Sequence, residues 1–194
     1  GRYDAQADGD ESTQREAQDG SLSPGDQDWL DAHNVKREDW HNRYGKQFVP
    51  LRWSHELSNS AHHYAEMLLE LKDCSIQHEY KGDKYGGENL AADWGTGRGG
   101  TPPIKVLDRW VDGEVDKDYP KNGHLTQVIW RATEYVGCGE ASKDLADGWI
   151  CNIQVCRYLR PGNCNSSAQK WETEMMADST PCDPFCPIEE GCAA

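Results

Sequence analysis

The order of the periodic segments is the feature that most restricts the fold of this chain. Three early stretches predict helices, the second with an apolar stripe at helical spacing, and segments rich in β-branched and aromatic residues come only after them. Strands that alternate with helices favour a parallel sheet, whereas helices first and strands later favour an α+β fold. We therefore predict an α+β fold without repeating βαβ units.

The three predicted helices have recognisable beginnings. The first runs from about Asp28 to Tyr44, and the second starts after Ser54, a residue type that caps helix N-termini. The third is announced by Thr101 and Pro102, a cap followed by a first-turn proline. The predicted strands are Leu125–Arg131, Tyr135–Glu140 and Trp149–Leu159.

Both ends of the chain differ in composition from its middle. Residues 1–27 contain a single aromatic side chain and many acidic and small polar ones. Such a segment cannot bury enough apolar surface to offset its ordering entropy, so we predict a disordered acidic arm. Residues 28–164 form the predicted domain. Residues 165–194 are rich in Cys and Pro and predict a small tail stapled by disulfides.

Eight cysteines in 194 residues indicate disulfide bonds, because no two C-x₂-C pairs stand at zinc-finger spacing. Disulfides persist in oxidising compartments, so we expect a secreted, extracellular protein. No apolar run approaches the roughly 18 residues that span a bilayer, so no transmembrane segment is expected. The net charge of −14 disfavours nucleic acid and anionic membrane surfaces as partners.

Few local patterns point to chemistry by themselves. Gly95–Gly100 match the glycine pattern of dinucleotide-binding loops, but a Thr-Pro-Pro turn follows, so a flexible loop is the preferred interpretation. His78 and His124 adjoin turn or strand sequence, and without metal-site spacing a structural role is favoured for both. The other five histidines lie among charged residues and predict solvated helix faces: His33, His41, His55, His62 and His63.

Five motifs in a fixed order resemble one family. Residues 123–133, Gly-His-Leu-Thr-Gln-Val-Ile-Trp-Arg-Ala-Thr, are similar to the first signature of the CAP superfamily. This group contains the SCP domains of cysteine-rich secretory proteins, insect antigen five and plant pathogenesis-related proteins. The other matches are His33–Arg37, Leu51–Trp53, Gly87–Leu90 and Cys156–Asn163. The resemblance covers about residues 29–164 and implies a three-layer α-β-α sandwich, with a tail similar to the hinge of some members.

The resemblance also implies a cleft that holds two histidines and two glutamates: His78, Glu88, Glu114 and His124. Such a set suits Zn²⁺ or another divalent cation, and a purely structural polar network is the alternative. Glu114 stands one position later than the family pattern, where this chain has Gly113. One residue rotates a helical side chain by about 100°, so its aim requires a local bulge that ends the third helix.

Covalent features complete the resemblance. It implies disulfides between Cys74 and Cys151 and between Cys138 and Cys156. The remaining cysteines are then expected to pair with one another: Cys164, Cys182, Cys186 and Cys192. Asn165 begins the only N-glycosylation sequon, Asn-Ser-Ser, and is a candidate glycosylation site.

We therefore expect a secreted monomer that binds a small apolar ligand, a lipid or sterol, or an extracellular protein, with a metal-capable cleft. The loop between Glu114 and His124 is short and charged, unlike the longer family loop tied to sterol binding, and this disfavours a sterol. Two alternatives stay open. One is a secreted peptidase that depends on a metal or on Glu and His, although no Ser or Cys nucleophile stands beside a base. The other is a toxin-like or structural extracellular module that acts through its tail.

Overall fold

The structure of the protein, a computed structural model, describes residues 21–71, 74–79, 87–96, 100–164 and 166–179. The helices of this part are α1 (Pro24–Arg43), α2 (His55–Leu71), α3 (Pro103–Trp110), α4 (Gly123–Ile129) and α5 (Trp171–Met175). The strands are β1 (Arg52–Trp53), β2 (Gly87–Gly95), β3 (Tyr135–Asp144) and β4 (Ile150–Leu159). Among the helices described, none combines the length and the apolar character needed to cross a membrane.

One sheet joins the four strands in the order β1-β3-β4-β2. The short β1 runs parallel to β3, whereas β4 is antiparallel to both β3 and β2. Every residue of β4 is buried, as expected for a strand with neighbours on both edges and helices on both faces. The prediction of an α+β fold is confirmed.

Alternate residues of β4 belong to two separate cores. Ile153 and Val155 pack with Leu68 of α2, whereas Tyr158 packs with side chains of α1, α3 and α4, Trp110 among them. Successive side chains of a strand point to opposite faces of a sheet. Helices therefore cover both faces, and the face under α1, α3 and α4 carries the larger core.

The starts of α1 and α2 follow local capping rules, whereas α3 begins one residue later than predicted, at Pro103, with Pro102 in place of Thr101 as its N-cap and no side-chain cap. Ser23 Oγ accepts a hydrogen bond from the Asp26 N–H at 3.2 Å, with Pro24 as the first helical residue. Helix α1 thus begins four positions before the predicted Asp28, so residues 24–27 are helical. Residues 1–20 of the predicted arm lie outside the described part. Ser54 caps α2 as predicted, because its Oγ accepts the Leu57 N–H at 3.1 Å.

Part of the predicted tail packs on the domain. Helix α5 buries Trp171 and Met175 in the larger core. The Met175 carbonyl accepts a hydrogen bond from the Arg131 N–H at 2.8 Å. Asn165 and residues 180–194 lie outside the described residues, so the division into arm, domain and tail stays a prediction.

The predicted strand Leu125–Arg131 is wrong, because Gly123–Ile129 form helix α4. β-Branched and aromatic residues suggested a strand, yet Leu125, Val128 and Ile129 also keep helical spacing and are all buried. Strand β2 escaped prediction because Gly, Glu, Asn and Asp are poor strand formers. It forms because it pairs with β4 along its whole length.

A buried arginine holds the C-terminal end of α4. Arg37 Nη1 donates to the carbonyl oxygens of Val128 at 2.9 Å and Trp130 at 2.8 Å, and Nη2 donates to that of Thr133 at 3.3 Å. Its Nε donates to the Val49 carbonyl at 3.0 Å. The last carbonyls of a helix have no partner within the helix and carry negative partial charge. Arg37 of α1 therefore supplies the hydrogen-bond donors and the positive charge that the end of this short helix lacks.

The prediction of solvated faces is wrong for His33 and His41, which are both fully buried. His33 Nδ1 donates to the Trp29 carbonyl at 2.7 Å, and Nε2 accepts from the Tyr158 hydroxyl at 2.9 Å. His41 Nε2 donates to the Ile129 carbonyl at 3.0 Å, and Nδ1 accepts a backbone N–H at 3.2 Å. Burial lowers the pKa of each imidazole to about 4. The other three helical histidines are exposed, as predicted.

Two disulfides fasten the sheet. Cys74 is bonded to Cys151, across a sequence separation of 77, and Cys138 is bonded to Cys156 of the neighbouring strand. These are the pairs that the resemblance implies. Closing the longer loop stabilises the fold by about 4 kcal/mol in the chain-entropy model. Cys164 is also disulfide-bonded; Cys182, Cys186 and Cys192 lie outside the described residues.

Replacing Arg37 by Met should destabilise the protein, because buried carbonyl oxygens lose their donors while the aliphatic volume is kept. We expect the free energy of unfolding in urea to fall by about 3 kcal/mol or more. The control Arg43→Met changes the same helix at a side chain that is 57% exposed, and should have an effect within about 0.5 kcal/mol. Equal small effects of both would contradict the assigned role of Arg37.

Acid should destabilise the fold through His33 and His41. The ordinary pKa of a histidine is 6.5, and the pKa of these two in the folded chain is about 4. Between these two pH values the unfolded chain therefore binds more protons than the folded chain. Stability is therefore present above pH 6.5 and is lost as the pH falls, by up to about 1.4 kcal/mol per pH unit for each group. Urea titrations of His33→Asn and His41→Asn should show a flatter pH dependence. The exposed His63→Asn should keep the wild-type slope; a uniform slope in all four proteins would refute the explanation.

Candidate functional site

A polar cleft of about 210 Å³ lies where β2, the start of α4 and the loop before α4 meet. The structure brings all four residues of the predicted set to its walls: His78, Glu88, Glu114 and His124. Asn89, Pro120, Lys121, Gly123 and Asn163 complete the lining. The four side chains come from separate parts of the chain, so the fold assembles the cleft.

Glu114 reaches the cleft because α3 ends early. A 3₁₀ turn, Asp112–Glu114, follows the helix and turns the Glu114 side chain inward, where it is buried. Its Oε1 accepts a hydrogen bond from His124 Nδ1 at 2.8 Å. Its Oε2 accepts the backbone N–H groups of His124 and Leu125, each at 3.1 Å. The carboxylate thus caps the N-terminus of α4 and orients an imidazole at the same time.

The His124 ring is fixed by aromatic stacking. It lies parallel to the Trp110 ring, with centroids 5.8 Å apart and an interplanar angle of 9°. Trp110 is itself held by β2, because its Nε1 donates to the Leu90 carbonyl at 3.2 Å. Asn89 Nδ2 donates to the His124 carbonyl at 3.1 Å. Side chains and backbone of β2 and α3 therefore set the position of this imidazole.

The second histidine–glutamate pair is tied to the sheet. His78 Nδ1 donates to Glu88 Oε1 at 2.9 Å, and this hydrogen bond raises the pKa of His78. Arg157 Nη2 donates to Glu88 Oε2 at 3.3 Å and also pairs with Glu79. Sequence reasoning missed Arg157, although it stands in one of the quoted motifs. Its partner became visible only when β2 placed Glu88 directly opposite Arg157.

The two histidines and two glutamates are residue types that bind divalent cations, but they are not arranged as a complete coordination site. Each Nδ1 is engaged by a glutamate, and Nε2 of His78 and of His124 has no partner among the described residues. No three donors of this cleft lie within 4.8 Å of one another. Among the described residues, only His33, Cys138 and Cys156 have three donor atoms within that distance of one another. The two sulfurs form a disulfide, so they are not thiolates that could bind a metal ion.

A second, more apolar cavity of about 370 Å³ lies between α1 and α3. Its lining consists of Asp28, Asp31, Ala32, Val35, Pro102, Pro103 and Ile104. Val35 is 58% exposed and Ile104 39% exposed, so this groove leaves large apolar side chains in water. Sequence reasoning placed these residues on helices but gave no signal that the two helices leave a groove between them.

The chain has recognisable relatives. The family model described as cysteine-rich secretory protein family, CAP, matches residues 30–158. Pathogenesis-related protein 1A of Nicotiana tabacum is 35% identical over 149 residues, which cover 71% of this chain and 76% of the relative. Repressed by EFG1 protein 1 of Candida albicans is 36% identical over 141 residues, 69% of this chain. The chain spans only 45% of the length of that fungal relative.

A solved structure agrees with the fold. The crystal structure of NaASP2 with Zn²⁺ matches with a TM-score of 0.56 at 20% sequence identity. The match covers 89% of this chain and 97% of that chain. At this identity the likeness shows the fold alone.

Proposed function

Because the chain belongs to the cysteine-rich secretory protein (CAP) family, we propose that it is a secreted protein that acts by binding a small apolar ligand. The groove between α1 and α3 carries this proposal. Its volume of about 370 Å³ lies within the usual range for small-molecule sites, roughly 300–1,000 Å³. The disulfides agree with an oxidising, extracellular location.

An apolar ligand in the groove would gain binding free energy because it removes apolar side chains from water. Val35 of α1 and Ile104 of α3 face water now, and a ligand that lies between them would cover both side chains. Complete burial of such a side chain is worth about 1.5–3 kcal/mol, and part of that gain is still available here. Pro102 and Pro103 form a stiff wall, so little conformational entropy is lost when the ligand binds.

The charges at the groove favour a neutral ligand. Asp28 and Asp31 of α1 line the same cavity as the apolar side chains. Their carboxylates repel an anionic head group, such as that of a fatty acid, and accept hydrogen bonds from a hydroxyl group. A neutral lipid or a sterol therefore suits the groove better than a fatty acid. The short loop between Glu114 and His124, which disfavours a sterol, lines the histidine–glutamate cleft and not this groove.

The groove is tested by charging its walls. The double variant Val35→Glu, Ile104→Glu should reduce binding of labelled cholesterol about tenfold or more, because two apolar contacts become anionic. Both side chains are already partly exposed, so the fold should persist. The control Met67→Glu changes a 39% exposed side chain on α2 and should bind as the wild type does.

Palmitate serves as the anionic comparison in the same assay and should bind more weakly than cholesterol. Cholesterol binding that is absent in the wild type, or equal in the double variant, would count against the groove as the ligand site.

We also propose that the cleft binds a divalent cation of the Zn²⁺ type through Nε2 of His78 and of His124. Glu88 and Glu114 hold Nδ1 of these rings, which is the usual arrangement of a histidine ligand and its supporting carboxylate. The solved relative NaASP2 was crystallised with Zn²⁺. A bound ion would cross-link the start of α4 to the segment before β2.

Calorimetric titration with Zn²⁺ near neutral pH tests the cleft. The double variant His78→Ala, His124→Ala should lose affinity at least about a hundredfold, because both nitrogen ligands disappear. The exposed His63→Ala is the matched control and should bind as the wild type does. Failure of the wild type to bind Zn²⁺, or unchanged affinity in the double variant, would leave the polar network as the better account.

A further inference from the structure

A second cluster of oxygen atoms lies on the same sheet, away from the histidine–glutamate cleft. Asp93 of β2, Glu140 of β3 and Gln154 of β4 stand on three neighbouring strands, and Glu140 lies directly opposite Gln154. Alternation along β4 places Gln154 on the same face as Tyr158, under the helices α1 and α3. Neither the histidine–glutamate cleft nor the apolar groove includes these three residues.

Gln154 carries an unsatisfied oxygen in this cluster. The side chain is fully buried, and its Nε2 donates to Asp93 Oδ2 at 2.9 Å. Its Oε1 has no hydrogen-bond partner among the residues that the structure describes. Reversing the amide would set this oxygen against the Asp93 carboxylate, so the hydrogen bond fixes the orientation. A buried acceptor without a partner is unfavourable, and a cation or a proton donor would satisfy it.

Glu140, opposite Gln154 on β3, has one carboxylate oxygen that no described residue engages. Its Oε1 accepts the Trp29 Nε1–H at 2.7 Å, and its Oε2 has no partner among the described residues. Burial and the nearby charge of Asp93 both raise the pKa of Glu140, which means that its charge is under-compensated. Arg109 Nη2 lies 3.6 Å from Asp93 Oδ2, and no other salt bridge is recorded for Asp93 or Glu140 within the described part.

Gly100 lies against the Gln154 amide and the Glu140 carboxylate. Its φ is +62°, and a Cβ at this position would lie 2.9 Å from Gln154 Nε2 and 3.5 Å from Glu140 Oε2. Glycine therefore leaves room beside the amide and the carboxylate where a methyl group would intrude. The last glycine of the glycine-rich loop thus packs directly over Gln154 and Glu140.

We propose that Glu140 Oε2, Gln154 Oε1 and the Asp93 carboxylate bind a hard divalent cation of the calcium class. Carboxylates, amide carbonyl oxygens and water are the ligands that such ions prefer, and the flexible coordination of Ca²⁺ tolerates a few protein ligands completed by water. The net charge of −14 raises the local concentration of cations. This site is independent of the Zn²⁺ cleft and of the ligand groove.

The test is a calorimetric Ca²⁺ titration of the full chain that carries His78→Ala and His124→Ala, so that the imidazoles of the cleft contribute no ligand. We expect a dissociation constant of about 0.1–1 mM, as in extracellular calcium modules. Adding Glu140→Gln should weaken binding at least about tenfold, because one anionic ligand is lost. The glutamine keeps an acceptor for Trp29, so the fold should persist. The control Glu70→Gln removes the same charge from an exposed position of α2 and should change nothing.

The indole N–H resonance of Trp29, assigned with Trp29→Phe, gives a second measurement at the site. Ca²⁺ should shift it in the histidine double variant and leave it in place once Glu140 is Gln. Absence of saturable binding up to about 10 mM would overturn the proposal. So would binding that survives Glu140→Gln, or Ca²⁺ binding by the wild type that the histidine double variant lacks. None of these results bears on cholesterol binding in the groove.

Discussion

Helix α4 is held at both ends by charged side chains from other helices and turns, and the rest of the structure depends on this contact. A helix of seven residues is too short to be stable by itself. Glu114 accepts its first N–H groups, and Arg37 donates to the carbonyl oxygens at its end. Each charge has the sign that the helix dipole favours. Through these contacts α1 and the turn after α3 are joined across the larger core.

The same capping contact explains how a structural network and a binding cleft coexist. Glu114 uses one carboxylate oxygen for the helix N-terminus and the other for His124. Glu88 likewise divides its oxygens between Arg157 and His78. Both glutamates are thereby committed to holding imidazoles, so Nε2 is the donor left to each histidine. The polar network and the proposed ion site are then two uses of one arrangement.

Two clusters of polar side chains on the sheet differ in the ligand atoms that they offer. Near the start of β2, histidine and glutamate pairs offer nitrogen ligands to a softer ion such as Zn²⁺. Near its end, Asp93, Glu140 and Gln154 offer only oxygen, which suits the calcium class. The apolar groove between α1 and α3 is separate from the histidine–glutamate cleft, so apolar ligand and Zn²⁺ are measurable independently.

Short-range signals in the sequence determined the α+β class, the Ser54 cap of α2 and the motifs that marked His78, Glu88, Glu114 and His124. These features depend on neighbouring residues or on a recognisable pattern, so they can be predicted from the sequence. Tertiary structure alone decided that 123–129 is a helix, that β2 exists, and that His33 and His41 are buried. The pairing of β2 with β4 also placed Arg157 opposite Glu88. Each of these outcomes depends on a contact between residues far apart in the chain, and local propensity carries no information about such contacts.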